Sequence, residues 1–260
     1  MKQQGLRSHQ IIGDHLSGEV PAFLDQWTNL TSLYLQNNQF TGPLPASLTN
    51  LTKLNHLWLY SNALTGGLPA GVGSLPALAS VYVQDNQFTA LPAFGANPNK
   101  ANLSVKAGQN QLDFADLEPS FTGAGVSGLK EFTYGGQALV DLAFHESTRT
   151  LSVSVGGTNN AYQWRKDGVD ISGATAGSLV LSAEQYAQGG HYQCQVTNTL
   201  VTGMIILSQV RYVKNPTPAG PAIALNPAAS LVDMNYIVTN VPLVGARRAR
   251  LTWRACPFTS

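Results

Sequence analysis

A step of 24 residues constrains this chain more than any other property it has. Three stretches read almost alike: Leu30-Thr-Ser-Leu-Tyr-Leu-Gln-Asn-Asn-Gln-Phe-Thr-Gly-Pro-Leu-Pro, Leu54-Asn-His-Leu-Trp-Leu-Tyr-Ser-Asn-Ala-Leu-Thr-Gly-Gly-Leu-Pro, and Leu78-Ala-Ser-Val-Tyr-Val-Gln-Asp-Asn-Gln-Phe-Thr-Ala-Leu-Pro. Asn38, Asn62 and Asn86 stand 24 residues apart, and the same step reaches Asn110 forwards and Asp14 backwards. A fixed period of this size means stacked units, none of which can bury its apolar face alone.

The position of each residue type follows from stacking. Leu33, Leu35 and Phe40 step inward, so each short strand and its turn bury side chains against the copies before and after. Asn38, Asn62, Asn86 and Asn110 sit where the strand turns away. An amide there both donates to and accepts from the backbone of a buried bend, which makes these residues a structural ladder. Ionised Asp14 has no donor, so its turn is expected to be the imperfect or solvent-exposed one.

The pattern L-x-x-L-x-L-x-x-N-x-L resembles the leucine-rich repeat family, and the Thr-Gly-x-Leu-Pro that follows resembles its plant-type and related bacterial subclass. About five turns can be read between residues 7 and 126. The first turn (Ile11, Asp14, Leu16, Gly18, Val20, Pro21) keeps most of the pattern, while the fifth (Val105, Ala107, Asn110, Leu112) keeps only the frame. The resemblance implies a solenoid that offers a concave face to a protein or glycan.

On each strand the residues between the inward leucines point to that face, because side chains alternate. Tyr34, Trp58 and Tyr82 fall in one column, continued by Lys106. Ser32, His56 and Ser80 flank one side, and Gln36, Tyr60 and Gln84 the other. Large amphipathic rings on an exposed face suit an interface. Tyr and Trp also recur in strands simply because they cover a sheet well, and the sequence leaves both readings open. Tyr34, His56, Trp58, Tyr60, Tyr82, Gln36 and Gln84 are the candidate ligand-binding residues.

Composition narrows the partners. Of 260 residues 43% are hydrophobic, enough for real cores, but only 11% are charged and the net charge is +1. That is well below the usual quarter of charged residues, and it removes the electrostatic case for nucleic acid or an anionic membrane. No apolar run approaches the length of a membrane span. The first ten residues contain no apolar core of a secretory signal. The amino terminus therefore reads as a fragment or a misplaced start, with a signal expected upstream. The Asn29-Leu-Thr, Asn50-Leu-Thr and Asn102-Leu-Ser sequons read as ordinary turn residues of the repeat more readily than as glycan acceptors.

Beyond Tyr134-Gly-Gly the period changes from 24 to 2. Leu151-Ser-Val-Ser-Val, Tyr162-Gln-Trp-Arg-Lys, Ser178-Leu-Val-Leu and His191-Tyr-Gln-Cys-Gln-Val read as strands. Trp164 ahead of a Lys-Asp-Gly turn, and Tyr192 two residues before Cys194, resemble the immunoglobulin-like sandwich, with its core tryptophan and its tyrosine corner. That resemblance makes Trp164, Tyr192 and Cys194 core residues. The first cysteine of the family's bridge is missing, its place expected to be taken by Val153, and Gln188 stands where an Asp is usual. Cys194 then packs as a small hydrophobe and Cys256 has no reason to meet it.

From Asn215-Pro-Thr-Pro-Ala-Gly-Pro the composition becomes that of a semi-rigid linker, and the chain closes on a basic segment, Gly245-Ala-Arg-Arg-Ala-Arg, outside any recognisable domain. No catalytic pattern is found: the five histidines are scattered, His145-Glu146 has no second His at metalloprotease spacing, and there is no C-x-x-C or G-x-S-x-G. Gly123-Ala-Gly-Val-Ser-Gly128 matches G-x-G-x-x-G but neither follows a clear strand nor opens a helix.

The expectation is a mainly β chain: residues 1–128 a leucine-rich-repeat solenoid of about five turns, 129–214 an immunoglobulin-like β-sandwich, and 215–260 a Pro/Ala-rich linker and a disordered or truncated tail. Its expected role is a non-enzymatic, extracellular or cell-surface module of a multidomain, adhesin-like bacterial protein. It is expected to bind a protein or glycan ligand without cofactor, metal or nucleic acid. The rival is a spacer or targeting region whose active domain lies elsewhere.

Overall fold

The computed structural model describes residues 8–10, 15–122 and 126–214. The Asp14 turn, glycines 123 and 125, Cys256 and the tail from residue 215 lie outside these residues. The described residues form one compact unit.

The first ten strands are short: β1 (Ser8–Gln10), β2 (Ser17–Glu19), β3 (Ser32–Tyr34), β4 (Gln39–Pro43), β5 (His56–Trp58), β6 (Ala63–Gly67), β7 (Ser80–Tyr82), β8 (Gln87–Ala90), β9 (Ser104–Lys106) and β10 (Glu131–Thr133). They make two parallel sheets, one in the order β1-β3-β5-β7-β9-β10 and the other β2-β4-β6-β8. In the six-stranded sheet the repeat step is the register, so Leu33, Leu57, Val81 and Val105 form one row and Tyr34, Trp58, Tyr82 and Lys106 another. Mainly β structure in stacked parallel sheets is the outcome the period demands. The sheet runs past residue 128, however, because β10 pairs in parallel with β9. This sixth strand has no ladder asparagine at the 24-residue step, and the sequence reading stopped short of it.

Leu33, Leu57, Val81 and Val105 are 1%, 0%, 0% and 0% exposed, so each inward side chain is enclosed by its copies on either side. The returning limbs of the first three turns are short 3₁₀ segments, Ala22–Gln26, Ala46–Asn50 and Ala70–Ser74. Each follows a proline, Pro21, Pro45 or Pro69, whose ring presets the backbone φ near its observed −64°, −67° and −54°.

The ladder asparagines bond to the backbone of their own turn and of the turn before. Asn62 Nδ2 donates to Leu35 O of the preceding turn at 2.9 Å and to Leu59 O of its own at 3.0 Å, while its Oδ1 accepts from Phe40 N at 3.0 Å. Asn86 and Asn110 repeat the arrangement on Leu64 N and Phe88 N. The residue before each ladder asparagine, Asn37, Ser61, Asp85 or Gln109, is left-handed at φ 54° to 58°, a conformation that side chains other than glycine adopt only when the surroundings impose it.

After the fifth turn the 3₁₀ limb gives way to helix α1 (Phe114–Phe121), opened by a capping box in which Asp113 and Asp116 accept each other's backbone N–H. Beyond β10 the chain builds antiparallel structure: β11 (Leu142–His145), β12 (Thr150–Val153), β13 (Asn160–Lys166), β14 (Val169–Asp170), β15 (Ser178–Val180), helix α2 (Ala183–Gln188), β16 (Gly190–Asn198), β17 (Ile206–Leu207) and β18 (Arg211–Val213). One sheet runs β11-β12-β15; the other runs β14-β13-β16-β17, with β18 also on β16. Trp164, Tyr192, Cys194 and Val196 of the second sheet are fully buried, as are Leu151 of β12 and Leu181 just after β15.

Two details differ from the sequence reading. On β12 the fully buried residue is Leu151, whereas Val153 is only half-buried at the strand's end. The Tyr192 ring is enclosed, but its hydroxyl has no hydrogen-bond partner, so the bond that defines a tyrosine corner is not made. Trp164 does satisfy its indole, donating from Nε1 to Ala176 O at 2.8 Å.

Candidate functional site

Each concave strand is only three residues long, and a strand directs alternate side chains to opposite faces. The inward residue is therefore the middle one, and its two neighbours stand on the open face. Tyr34, Trp58 and Tyr82 are all half-buried there. Trp58 lies between the two tyrosines, its ring centroid 4.7 Å from Tyr34 at 49° and 5.2 Å from Tyr82 at 14°. Lys106 continues the row, with Nζ 5.1 Å from the Tyr82 ring centre and an exposed ion pair to Glu131 at 3.4 Å.

This stacking decides what the row offers. Trp58 and Tyr82, stacked at 14°, shield one another's negative faces and leave their positive edges and the Tyr82 hydroxyl for a partner, while Tyr34, tilted at 49° to Trp58, adds its own hydroxyl. Such a row suits acceptor atoms, carbonyl or carboxylate oxygens, better than the C–H face of a sugar, which needs an open ring face.

His56 is tied into the row by a shared hydroxyl. Trp58 Nε1 donates to Ser80 Oγ at 2.7 Å, and His56 Nδ1 lies 2.8 Å from the same oxygen. An indole N–H can only donate, so Ser80 accepts from it, and its second lone pair and its own proton can serve His56 Nδ1 in either ring tautomer. Burial lowers the His56 pKa below its ordinary value. The neutral ring is held through Nδ1 to the same Ser80 oxygen as Trp58. Ser80 itself is buried at 5% exposure. It fixes the neighbouring rings instead of meeting a ligand.

The far flank corrects the sequence reading. Tyr60 is half-buried on the face, but Gln36 is only 3% exposed, and the Oε1 atoms of Gln36 and Gln84 are buried without hydrogen-bond partners. A ligand reaches those oxygens only if the side chains move. The face thus holds Tyr34, His56, Trp58, Tyr60 and Tyr82 together, and withdraws Gln36. Sequence periodicity placed the column, but it could not detect Ser80 as a linchpin, because one serine in a row of serines carries no signal.

Among the described residues no group of three or more His, Cys, Asp or Glu side chains is placed to hold a metal ion, and no helix is long and apolar enough to cross a membrane. A cleft of about 530 Å³ lies away from the aromatic row, between Gln111–Asp113, Ala138–Asp141 and Ser154.

Residues 28–88 match the leucine rich repeat family. Among solved structures, the chain is similar to the structure titled PEPR1-AtPEP1, with a TM-score of 0.46 and 30% identity over 52% of this chain and 19% of that one. It is also similar to the repeat ectodomain of the Arabidopsis thaliana receptor kinase GASSHO1/SCHENGEN3 in complex with CASPARIAN STRIP INTEGRITY FACTOR 2, with a TM-score of 0.42 and 29% identity over 48% and 15%. A plant ice-binding protein gives a TM-score of 0.44 and 23% identity over 51% and 41%. The chain thus spans less than half the length of each of these three proteins. Among curated proteins, none matches it.

Proposed function

We propose that this chain, whose residues 28–88 are leucine rich repeats, is a non-enzymatic recognition module that binds a protein segment on its concave sheet. The observation that carries this is the half-exposed row Tyr34–Trp58–Tyr82, braced by Ser80 and His56. The ring edges and the tyrosine hydroxyls favour backbone carbonyls or a carboxylate as the bound group. A glycan held by stacking is the second choice, because the facing sides of Trp58 and Tyr82 cover one another.

The repeats take in β1 to β10, so the solenoid of this reading extends to about residue 133 instead of 128. The antiparallel region after it, up to residue 214, is read as an immunoglobulin-like sandwich. Two sheets, a buried Trp164 opposite Cys194 on the paired strands β13 and β16, and a parallel bridge from Val140 to Ser208 support that reading. An extracellular or cell-surface setting in a larger protein fits a low-charge repeat surface and is part of the proposal. The rival role, a spacer with an inert aromatic row, predicts no ligand for this face.

The test is binding of the full chain and of a Tyr34→Ala, Trp58→Ala, Tyr82→Ala variant to a displayed peptide library and to a glycan array, after circular dichroism has shown that both fold alike. Peptides enriched by the parent and lost by the variant support the proposal. Equal enrichment by both places binding elsewhere, and enrichment by neither favours the spacer.

A further inference from the structure

We infer that the antiparallel region is the carboxyl-terminal cap of the repeat stack, pinned to it through Glu118, so that the two halves unfold as one body. A solenoid exposes an apolar end wherever it stops, and terminal units need a covering. Here the end is helix α1, with Phe114 and Leu117 fully buried.

What covers it is a loop between β12 and β13. Glu118, 8% exposed, uses Oε1 to accept from Thr158 N at 2.8 Å, Asn159 N at 3.3 Å and Asn198 Nδ2 at 2.7 Å, and Oε2 to accept from Thr158 Oγ1 at 3.0 Å. Every partner belongs to β16 or the loop before β13, and every one is a donor. Hydrogen bonds to an ionised carboxylate are roughly twice as strong as neutral ones, so these four anchor Glu118 firmly. One turn earlier Asp113 Oδ2 accepts from Gly156 N at 2.9 Å. The approach leaves no room for a side chain: a Cβ on Gly156 would lie 2.4 Å from Asp113 Oδ2 and 2.7 Å from Ala115 Cβ.

The far side of the end is closed as well. Tyr134 Oη donates to Thr202 O at 2.7 Å, and Tyr134 packs with Phe121 and Phe132. Val201 and Met204, flanking that carbonyl in the β16–β17 connection, are 0% and 1% exposed. The ladder itself ends in a substitute. Gln137 Oε1 accepts from Asn110 N and Leu112 N, both at 3.1 Å, and Nε2 donates to Ala107 O and Tyr134 O. Two beads on a string would show none of the bonds that Glu118, Asp113 and Tyr134 make to the antiparallel region.

The experiment is amide hydrogen exchange on the full chain, read separately at β9–β10 and at β13–β16, in the parent, in Glu118→Ala and in Gly156→Ala. Both regions are expected to lose protection together in either variant, by about tenfold or more, as members of one cooperative unit do. Loss confined to one region, or to residues 154–160, overturns the inference, and so does unchanged exchange. Gly156→Ala removes no bond of the core and keeps the test decisive if Glu118→Ala does not fold.

Discussion

The repeat stack and the antiparallel region bury their cores on opposite principles. In the stack each inward residue has a copy above and below, so Leu57 sits between Leu33 and Val81, and the same set of contacts recurs every 24 residues. In the antiparallel region nothing recurs: one Trp164 meets one Cys194 across one strand pair. A damaged turn in the stack has neighbours of the same kind to hold its shape, whereas the second region has no spare for its centre.

The comparison is broken most directly at Trp164. Trp164→Ala is expected to lower stability by about 3–5 kcal/mol, with the bond to Ala176 O lost as well. Chemical denaturation measures it, and a loss under about 1 kcal/mol would mean that the region repacks as freely as the stack.

Leu57→Ala, at 0% exposure, is expected to lose about 2–5 kcal/mol, towards the lower figure if neighbouring turns relax into the space. An unchanged midpoint at unchanged slope would remove Leu57 from the core. Asn86→Ala tests the ladder instead of the leucines. It removes the acceptor of Leu64 N in a buried place, while Leu59 O and Val83 O keep Asn62 Nδ2 and Asn110 Nδ2 as donors, for an expected loss of about 1–3 kcal/mol. A neutral result would show that water replaces the amide.

The smallest effect concerns pH, and it sharpens the comparison at the joint. Burial, together with the charge of Asp113 and against the hydrogen bond from the Asp113 backbone, raises the Asp116 pKa to about 6. Burial also opposes ionisation of Glu118, but the hydrogen bonds from Asn198, Thr158 and Asn159 outweigh it and hold that carboxyl below its ordinary value. The signs are opposite. A raised carboxyl adds stability at low pH that is lost as pH rises through its folded value, so Asp116 favours folding slightly more at about pH 5 than at about pH 7. A depressed one adds stability above its unfolded value that is lost as pH falls through the folded one, so Glu118 weakens the joint in stronger acid. Thermal midpoints across this range are expected to pass through a maximum on the acid side of neutrality. Asp116→Asn should remove the rise between about pH 7 and about pH 5 and leave the acid fall; a profile unaltered by that substitution counts against the assignment.

Legibility in the sequence followed the same division. The stack could be read because Asn38, Asn62, Asn86 and Asn110 repeat an obligatory role at a fixed step, and the column Tyr34–Trp58–Tyr82 followed from strand alternation alone. What escaped was whatever happens once. The sixth turn was missed because its ladder residue is Gln137, a different amide 27 positions after Asn110, with one more methylene to span the longer gap. Ser80, Glu118 and Gly156 were silent for the same reason: each matters through a partner far away in sequence. The burial of Gln36 was misjudged because alternation tells which side of a strand a residue occupies, not how deeply its neighbours bury it.

The asparagine ladder also makes the stack chemically one-way. Each side-chain oxygen reaches back to an amide of the preceding turn: Asn38 to Leu16 N, Asn62 to Phe40 N, Asn86 to Leu64 N, Asn110 to Phe88 N. A turn removed from the amino end takes one acceptor from the next asparagine, Leu35 O from Asn62, but leaves it the carbonyl of its own turn, Leu59 O, whereas one removed from the carboxyl end leaves an amide such as Phe40 N without its ladder acceptor. In lineages that lengthen or shorten such arrays by duplicating whole units, this polarity makes the front of the array the permissive place to edit. The rear is tied to a bespoke residue such as Gln137, and any new last turn must bring its own.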